Sequence, residues 1–301
     1  MAENLYPEEV HATLMTTRQL SIGGARIPAL RGNHFFVDYD LGNNGFSGKS
    51  WDKAWATITY ALANVSDWDT LWVVGRGSEE TLTIPVGLDH FTLRGASVGQ
   101  RSWHLENNAG AVTDANIRCR AQAFTLMDVF IEPPAGGAAV VLVRDASEAV
   151  AKANYATLVN VNIWTGKYGV DLQGAPHGFT MVGGSIRNLR ADGATAIKVS
   201  SQSVTFPYRA HLKRVVFKGN VNHIVGGFAD SVFEELILSA KASSNNDTTT
   251  KLDLRNGSSN DVFECQLGGT YSEAGGYYAS GAEDNWIGNF GSAGVTTGNP
   301  A

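Results

Sequence analysis

The sequence predicts an all-β fold, specifically a right-handed parallel β-helix, and three observations carry that expectation. Short strands with apolar residues at i, i+3 and i+5 recur down the chain. A second set of short strands lies between them at a near-constant step of 27–29 residues. The composition suits many turns and flat packed faces: 34 of 301 residues are Gly and only 17% are charged, against a usual charged share of about 25%.

Residues 1–32 have no clear period. They mix Gly with single Arg residues and end in the stretch Arg26-Ile27-Pro28-Ala29-Leu30-Arg31-Gly32, which reads as an extended arm with little core of its own. The first residues, MAENLYPEEV, lack a basic start followed by an apolar run, so a secretory signal is not expected. Residues 33–96 read as a cap and the first coils. His34–Tyr39 is aromatic and β-branched, hence a strand. After a Gly/Asn loop, Ser50 is placed to cap a helix over Trp51–Val65, with Ala54, Ile58, Ala61, Leu62 and Val65 on one face. Strands at 70–74, 81–84 and 90–96 follow, and Trp51, Trp55, Trp68 and Trp72 are expected to pack together in this cap.

Residues 97–267 read as coils of the solenoid. The triplets are Leu126–Val129–Ile131, Leu158–Val161–Ile163, Leu212–Val215–Phe217, Phe233–Leu236–Leu238 and Val262–Cys265–Leu267, with Met181–Gly184–Ile186 as a variant. The second set runs through Val141–Val143, Val170–Leu172, Ile197–Val199, Ile224 and Leu252–Leu254. No one period can bury its apolar pair alone, but stacked periods bury a continuous column with parallel pairing between turns. About six or seven turns are expected, and residues 268–301 read as a closing or oligomer-contact segment. A leucine-rich repeat is disfavoured because its fixed Leu/Asn template is missing.

Composition excludes some functions. A net charge of −6 argues against a general nucleic-acid binder. No apolar run reaches the ~20 residues of a membrane-spanning helix, so a membrane partner is not expected. Cys119 and Cys265 lie in apolar strand-like stretches and read as buried reduced thiols. No CxxC, HxxxH or HExxH occurs, so neither a metal nor another cofactor is expected.

Equivalent outward positions of adjacent turns stand about 4.8 Å apart, so a stacked carboxylate pair could serve glycoside chemistry. One slot reads Leu142, Asp171, Lys198, Asp253, in which Lys198 interrupts any acidic ladder. The other reads Asp128, Asn160, Gly183, Arg214, Glu235, Glu264, where only Glu235 and Glu264, with Glu234 adjacent, form a constellation. A solvated strand face is the plainer account of it, and no catalytic residue is assigned. Trp164, with Lys167 and Tyr168, is the best aromatic candidate for a surface or carbohydrate contact, alongside Glu235 and Glu264.

The block HFFVDYDLGNNGFSGKSWDKAWATITYALANVSDWDTLWVVGRG resembles the N-terminal block of pectin-lyase-like right-handed β-helix proteins, through Phe36-Val37-Asp38, Asn43–Gly45, Ser50-Trp51, Ala54-Trp55, Thr57-Ile58, Ala61-Leu62 and Asp69-Thr70. The stretch ALRGN after an arm of about thirty residues, and NWIGNFG near the end, are similar to a group of tailed-bacteriophage virion proteins. That second resemblance implies a non-enzymatic structural part of a virion (capsid decoration or cement protein, or head fibre), made without a signal peptide and commonly trimeric. It implies as partner the major capsid protein or another virion protein, with Arg26, Ile27, Pro28, Leu30 and Arg31 as the anchor. The alternative is a tail-spike-like protein that binds or cleaves host surface polysaccharide. The resemblance stops short of the lyase and hydrolase catalytic motifs.

Overall fold

A computed structural model describes residues 19–22, 25–28, 32–78, 81–96, 102–106, 115–144, 152–187, 189, 194–200, 207–218, 220, 222–239, 252–254, 257–267, 278–280, 283–291 and 294–296. The chain is a parallel β-helix. Its strands pair with their equivalents one level on: His34–Asp38 with Thr70–Ser78, then Thr92–Gly95 and Trp103–Glu106, Thr125–Glu132, Thr157–Trp164 and onward to Asn285–Ile287. That makes ten levels, more than the six or seven expected. A separate stack of eight strands, from Leu82–Ile84 to Tyr278–Ala279, forms another face. One core runs the length of the solenoid, from Phe35 to Trp286.

The apolar triplets have a backbone cause. The residue two positions after the first member of each triplet lies in the left-handed region: Asp128, Asn160, Gly183, Arg214, Glu235 and Glu264 have φ between 52° and 64°. A strand alternates inward and outward with period two. One left-handed residue inserts a corner and resets that alternation, so the inward positions fall at i, i+3 and i+5. The corners hydrogen-bond to one another's levels: Gly183 N–H to Lys213 O, Arg214 N–H to Glu234 O, Glu235 N–H to Phe263 O and Glu264 N–H to Ile287 O, at 2.9–3.2 Å.

A second corner precedes the first strand of every level. Gly32, Trp68, His90, Ala123, Tyr155, Gly178, Arg209, Asp230, Ser259 and Glu283 all have positive φ, and each stands two residues before a strand begins. From corner to corner the levels run from 21 residues, between Arg209 and Asp230, to 36, between Gly32 and Trp68. Immediately after five of these corners the first strand position is threonine, in register: Thr70, Thr92, Thr125, Thr157 and Thr180. Such stacked β-branched side chains suit a pleated, half-buried face.

Three expectations change. First, the helix is short: Trp51–Lys53 is a 3-10 turn, Ala54 is extended and the α-helix spans only Ile58–Leu62. Trp55 bridges in parallel to Val37, and its backbone exchanges hydrogen bonds with Phe36 and Asp38 at 2.9 Å. The extended backbone at Trp55 covers the open edge of the first strand, which a continued helix would leave unpaired there, and the Thr57 side chain, rather than Ser50, caps by accepting from Tyr60 N–H. Second, Val140, not Val141, is level with Val170, Ile197, Ile224 and Leu252. The outward slot is consequently Val141, Asp171, Lys198, Val225, Asp253 rather than one that starts with Leu142. Third, of the four tryptophans only Trp55 joins the core, stacked on Phe35 at 5.1 Å, while Trp51 packs edge-on to Phe36, Trp68 stacks on His90 at 3.8 Å and Trp72 faces outward.

The segment read as closing supplies the tenth level, Asn285–Ile287 and Asn289–Gly291, and an antiparallel return, Gly294–Thr296. Both thiols are buried, and burial pushes each up to about 12. A thiolate-selective reagent at neutral pH should therefore label neither cysteine in native protein and both after denaturation; labelling of either under native conditions would show that the core at that level opens.

Candidate functional site

The left-handed corner folds each wide strand into two arms, and the outer side of that bend forms a groove of about 550 Å³ in the N-terminal levels. Its lining includes Trp72, Arg94, Asp128, Phe130, Asn160 and Asn162. The side chains are tied together across levels. Arg94 lies 4.6 Å over the Trp72 ring and donates from Nε to Asp128 at 3.2 Å. Asn160 donates to the other Asp128 oxygen at 3.1 Å, Ser185 donates to Asn162 at 2.8 Å, and Trp72 Nε1 donates to His34 Nδ1 at 3.0 Å. An aromatic face beside a planar cation, a carboxylate and amides is the chemistry of a polar, ring-shaped ligand such as a sugar.

At the far edge of this groove the Phe130 ring meets His104 edge-on at 4.7 Å and Trp164 at 6.2 Å. Trp164, singled out from sequence, is 45% exposed at the end of its strand. Tyr168 begins the next face after the short turn 165–167, and its ring lies under two ammonium groups, Lys198 at 4.4 Å and Lys167 at 5.4 Å. Trp164 and Tyr168 thus sit on either side of one corner.

Glu235 and Glu264 occupy the bend on adjacent levels. Glu235 is bound by Arg214 at 2.5 Å and lies 3.6 Å from Lys213, while Glu234 takes Lys213 at 3.0 Å and lies 2.6 Å from His211. The Arg214 guanidinium holds the Glu235 carboxyl below the usual carboxylate range, with burial opposing it and Lys213 adding to it. A carboxylate so paired has no proton to give near neutral pH. Glu264 is exposed, beside Phe263 and Ile287 in a second, smaller groove. The cluster behaves as an ion-pair ladder across levels, held by the same register that stacks the core.

Of the arm residues, Arg26, Ile27 and Pro28 lie in the strand Ala25–Pro28, which pairs antiparallel with Gln19–Ile22 as a sheet of two strands. Leu30 and Arg31 lie outside the described residues.

Sequence reading missed Trp72–Arg94 and a cluster of His104, Glu106 and Glu132. His104-Leu105-Glu106 does show two polar residues on one strand face, but their neighbours on other levels come from residues 26 to 30 positions away, a spacing the sequence does not repeat. No protein-family model, curated protein or solved structure matches the chain.

Proposed function

We propose that the chain is a non-enzymatic structural component of a bacteriophage particle, a capsid decoration or cement protein or a head fibre, which joins the shell through its N-terminal arm and projects the β-helix outward. The observation that carries this reading is the arm. A lone two-stranded hairpin is marginal in water, and Gln19–Ile22 with Ala25–Pro28 is a sheet of its own. A partner that adds strands to it or covers one face would supply the missing burial. In this reading the partner is the major capsid protein or another virion protein, the contact runs through Arg26, Ile27, Pro28, Leu30 and Arg31, and the assembled form is a homotrimer. The resemblance of ALRGN after the arm, and of NWIGNFG, to tailed-bacteriophage virion proteins points the same way. The pairing of Asp128, Glu234 and Glu235 with cations favours a structural role for the outer face over acid–base catalysis.

The test is particle occupancy. Chain lacking residues 1–32 should remain folded and fail to join particles, whereas full-length chain is incorporated. Incorporation of the truncated chain at full-length occupancy would overturn the anchor.

One observation favours a second reading, host-polysaccharide binding: the groove of Trp72, Arg94, Asp128 and Phe130. Retention of Trp72→Ala protein on a capsular-polysaccharide column equal to that of the parent chain would remove that reading, and release of reducing ends or unsaturated uronate by the parent chain would replace the non-enzymatic one.

A further inference from the structure

We infer that His104, Glu106 and Glu132 form a binding site for a divalent transition-metal ion of the zinc class on the outer face of the solenoid. The inference stands apart from the particle role and holds or fails without it.

The fold brings the three residues together by register. His104 and Glu106 are two apart on the strand Trp103–Glu106, so both side chains leave the same face. Glu132 ends the strand Thr125–Glu132 and is paired with Glu106 one level on. His104 Nε2 lies 3.4 Å from Glu106 Oε1 and 3.7 Å from Glu132 Oε2, and one donor atom from each of the three residues falls within 4.8 Å of the others. Bonds of about 2.0–2.1 Å in a tetrahedron place ligand atoms about 3.3–3.4 Å apart, so a small closure of Glu132 completes three corners and leaves the fourth for water.

A second observation separates this cluster from an ordinary charged surface. His104 Nε2 is shielded from solvent and makes no hydrogen bond, although it faces both carboxylates. Glu106 is only 6% exposed. A buried carboxylate demands a cation. Arg76, on the level before, meets that demand by pairing with Glu106, but its own side chain is 67% exposed and free to swing into water. Arg76 and a metal ion are therefore alternative partners of Glu106. The imidazole selects the ion: nitrogen with two carboxylates suits zinc and its neighbours, whereas calcium prefers six to eight oxygens. Cys119 and Cys265 are buried thiols whose protons burial retains, so they do not compete for the ion.

The test is calorimetric titration of tag-free, full-length protein with zinc at neutral pH, against His104→Gln, Glu132→Gln and Arg76→Ala, each verified as folded by its circular dichroism and metal-free melting midpoint. One zinc per chain is expected. The Gln variants should each bind about tenfold or more weakly, the smallest loss usual even for a supporting contact of a metal site. Arg76→Ala should bind at least as tightly as the parent, because it removes the competing cation. Absence of zinc binding, binding unchanged in both Gln variants, loss of binding in Arg76→Ala, or tighter binding of calcium than zinc would each overturn the site.

Discussion

Replacing Phe233 with Ala should lower the stability of the solenoid by about 3–5 kcal/mol, the usual cost of emptying a well-packed aromatic site. Phe233 is fully buried and meets Phe228 edge-on at 5.4 Å. It stacks in register between Leu212 and Val262, so a cavity there is walled by the levels on both sides and cannot collapse without disturbing two ladders. Urea unfolding read at an unchanged slope is the measurement. Phe290→Ala is the control: Phe290 is 51% exposed and should cost within about 0.5 kcal/mol. Equal losses at the two sites would mean that the inward column is not the one the triplets define.

The inward column was readable because its signal is chemical and repeated. Leu126, Leu158, Met181, Leu212, Phe233 and Val262 stack one on another in the order the triplets gave. The second strand set was readable in period but not in parity at its first member. Every residue of Ala138–Val143 is buried, because Val141 and Val143 pack outward against Val86 and Tyr168 while Val140 and Leu142 face the core. A run that is apolar on both faces carries no alternation from which to choose. The cap misled for a different reason. Its apolar spacing fits a helix, yet the exposed edge of His34–Asp38 competes for the same backbone, and Trp55 pairs with it.

The candidate site was the least legible part. The slot scanned for an acidic ladder, from Asp128 to Glu264, is the slot of the left-handed corner. Its polarity follows first from backbone geometry, since Asp, Asn and Gly accept that conformation most readily, and Arg214 with Glu235 then gains an ion pair across levels. His104, Glu106 and Glu132, by contrast, come together only once the register of Trp103–Glu106 against Thr125–Glu132 is fixed, which no local pattern supplies.

Gly183 and Gly184 should separate sharply, although they are neighbours with similar φ. Both have positive φ, 64° and 77°. Gly183 holds the corner slot occupied by Asn160 on the level before and by Arg214 on the level after, and a Cβ there would meet nothing within 4 Å. Gly183→Asn should thus be tolerated within about 0.5 kcal/mol. Gly184 turns inward against the adjacent level, where a Cβ would stand 2.2 Å from the Val161 carbonyl oxygen and 2.7 Å from its nitrogen. Both atoms are backbone in a paired strand, so neither can yield as a side-chain tip would. Gly184→Val combines a strained β-branched residue with a forced separation of two levels, and should cost about 3 kcal/mol or more. The Gly184 carbonyl also accepts from Val216 N–H at 3.2 Å, so the displacement would pass to the next level as well. Urea midpoints of the two variants decide the matter: a Gly184→Val protein as stable as Gly183→Asn would mean that the levels are not packed at this corner as closely as parallel pairing on both sides requires.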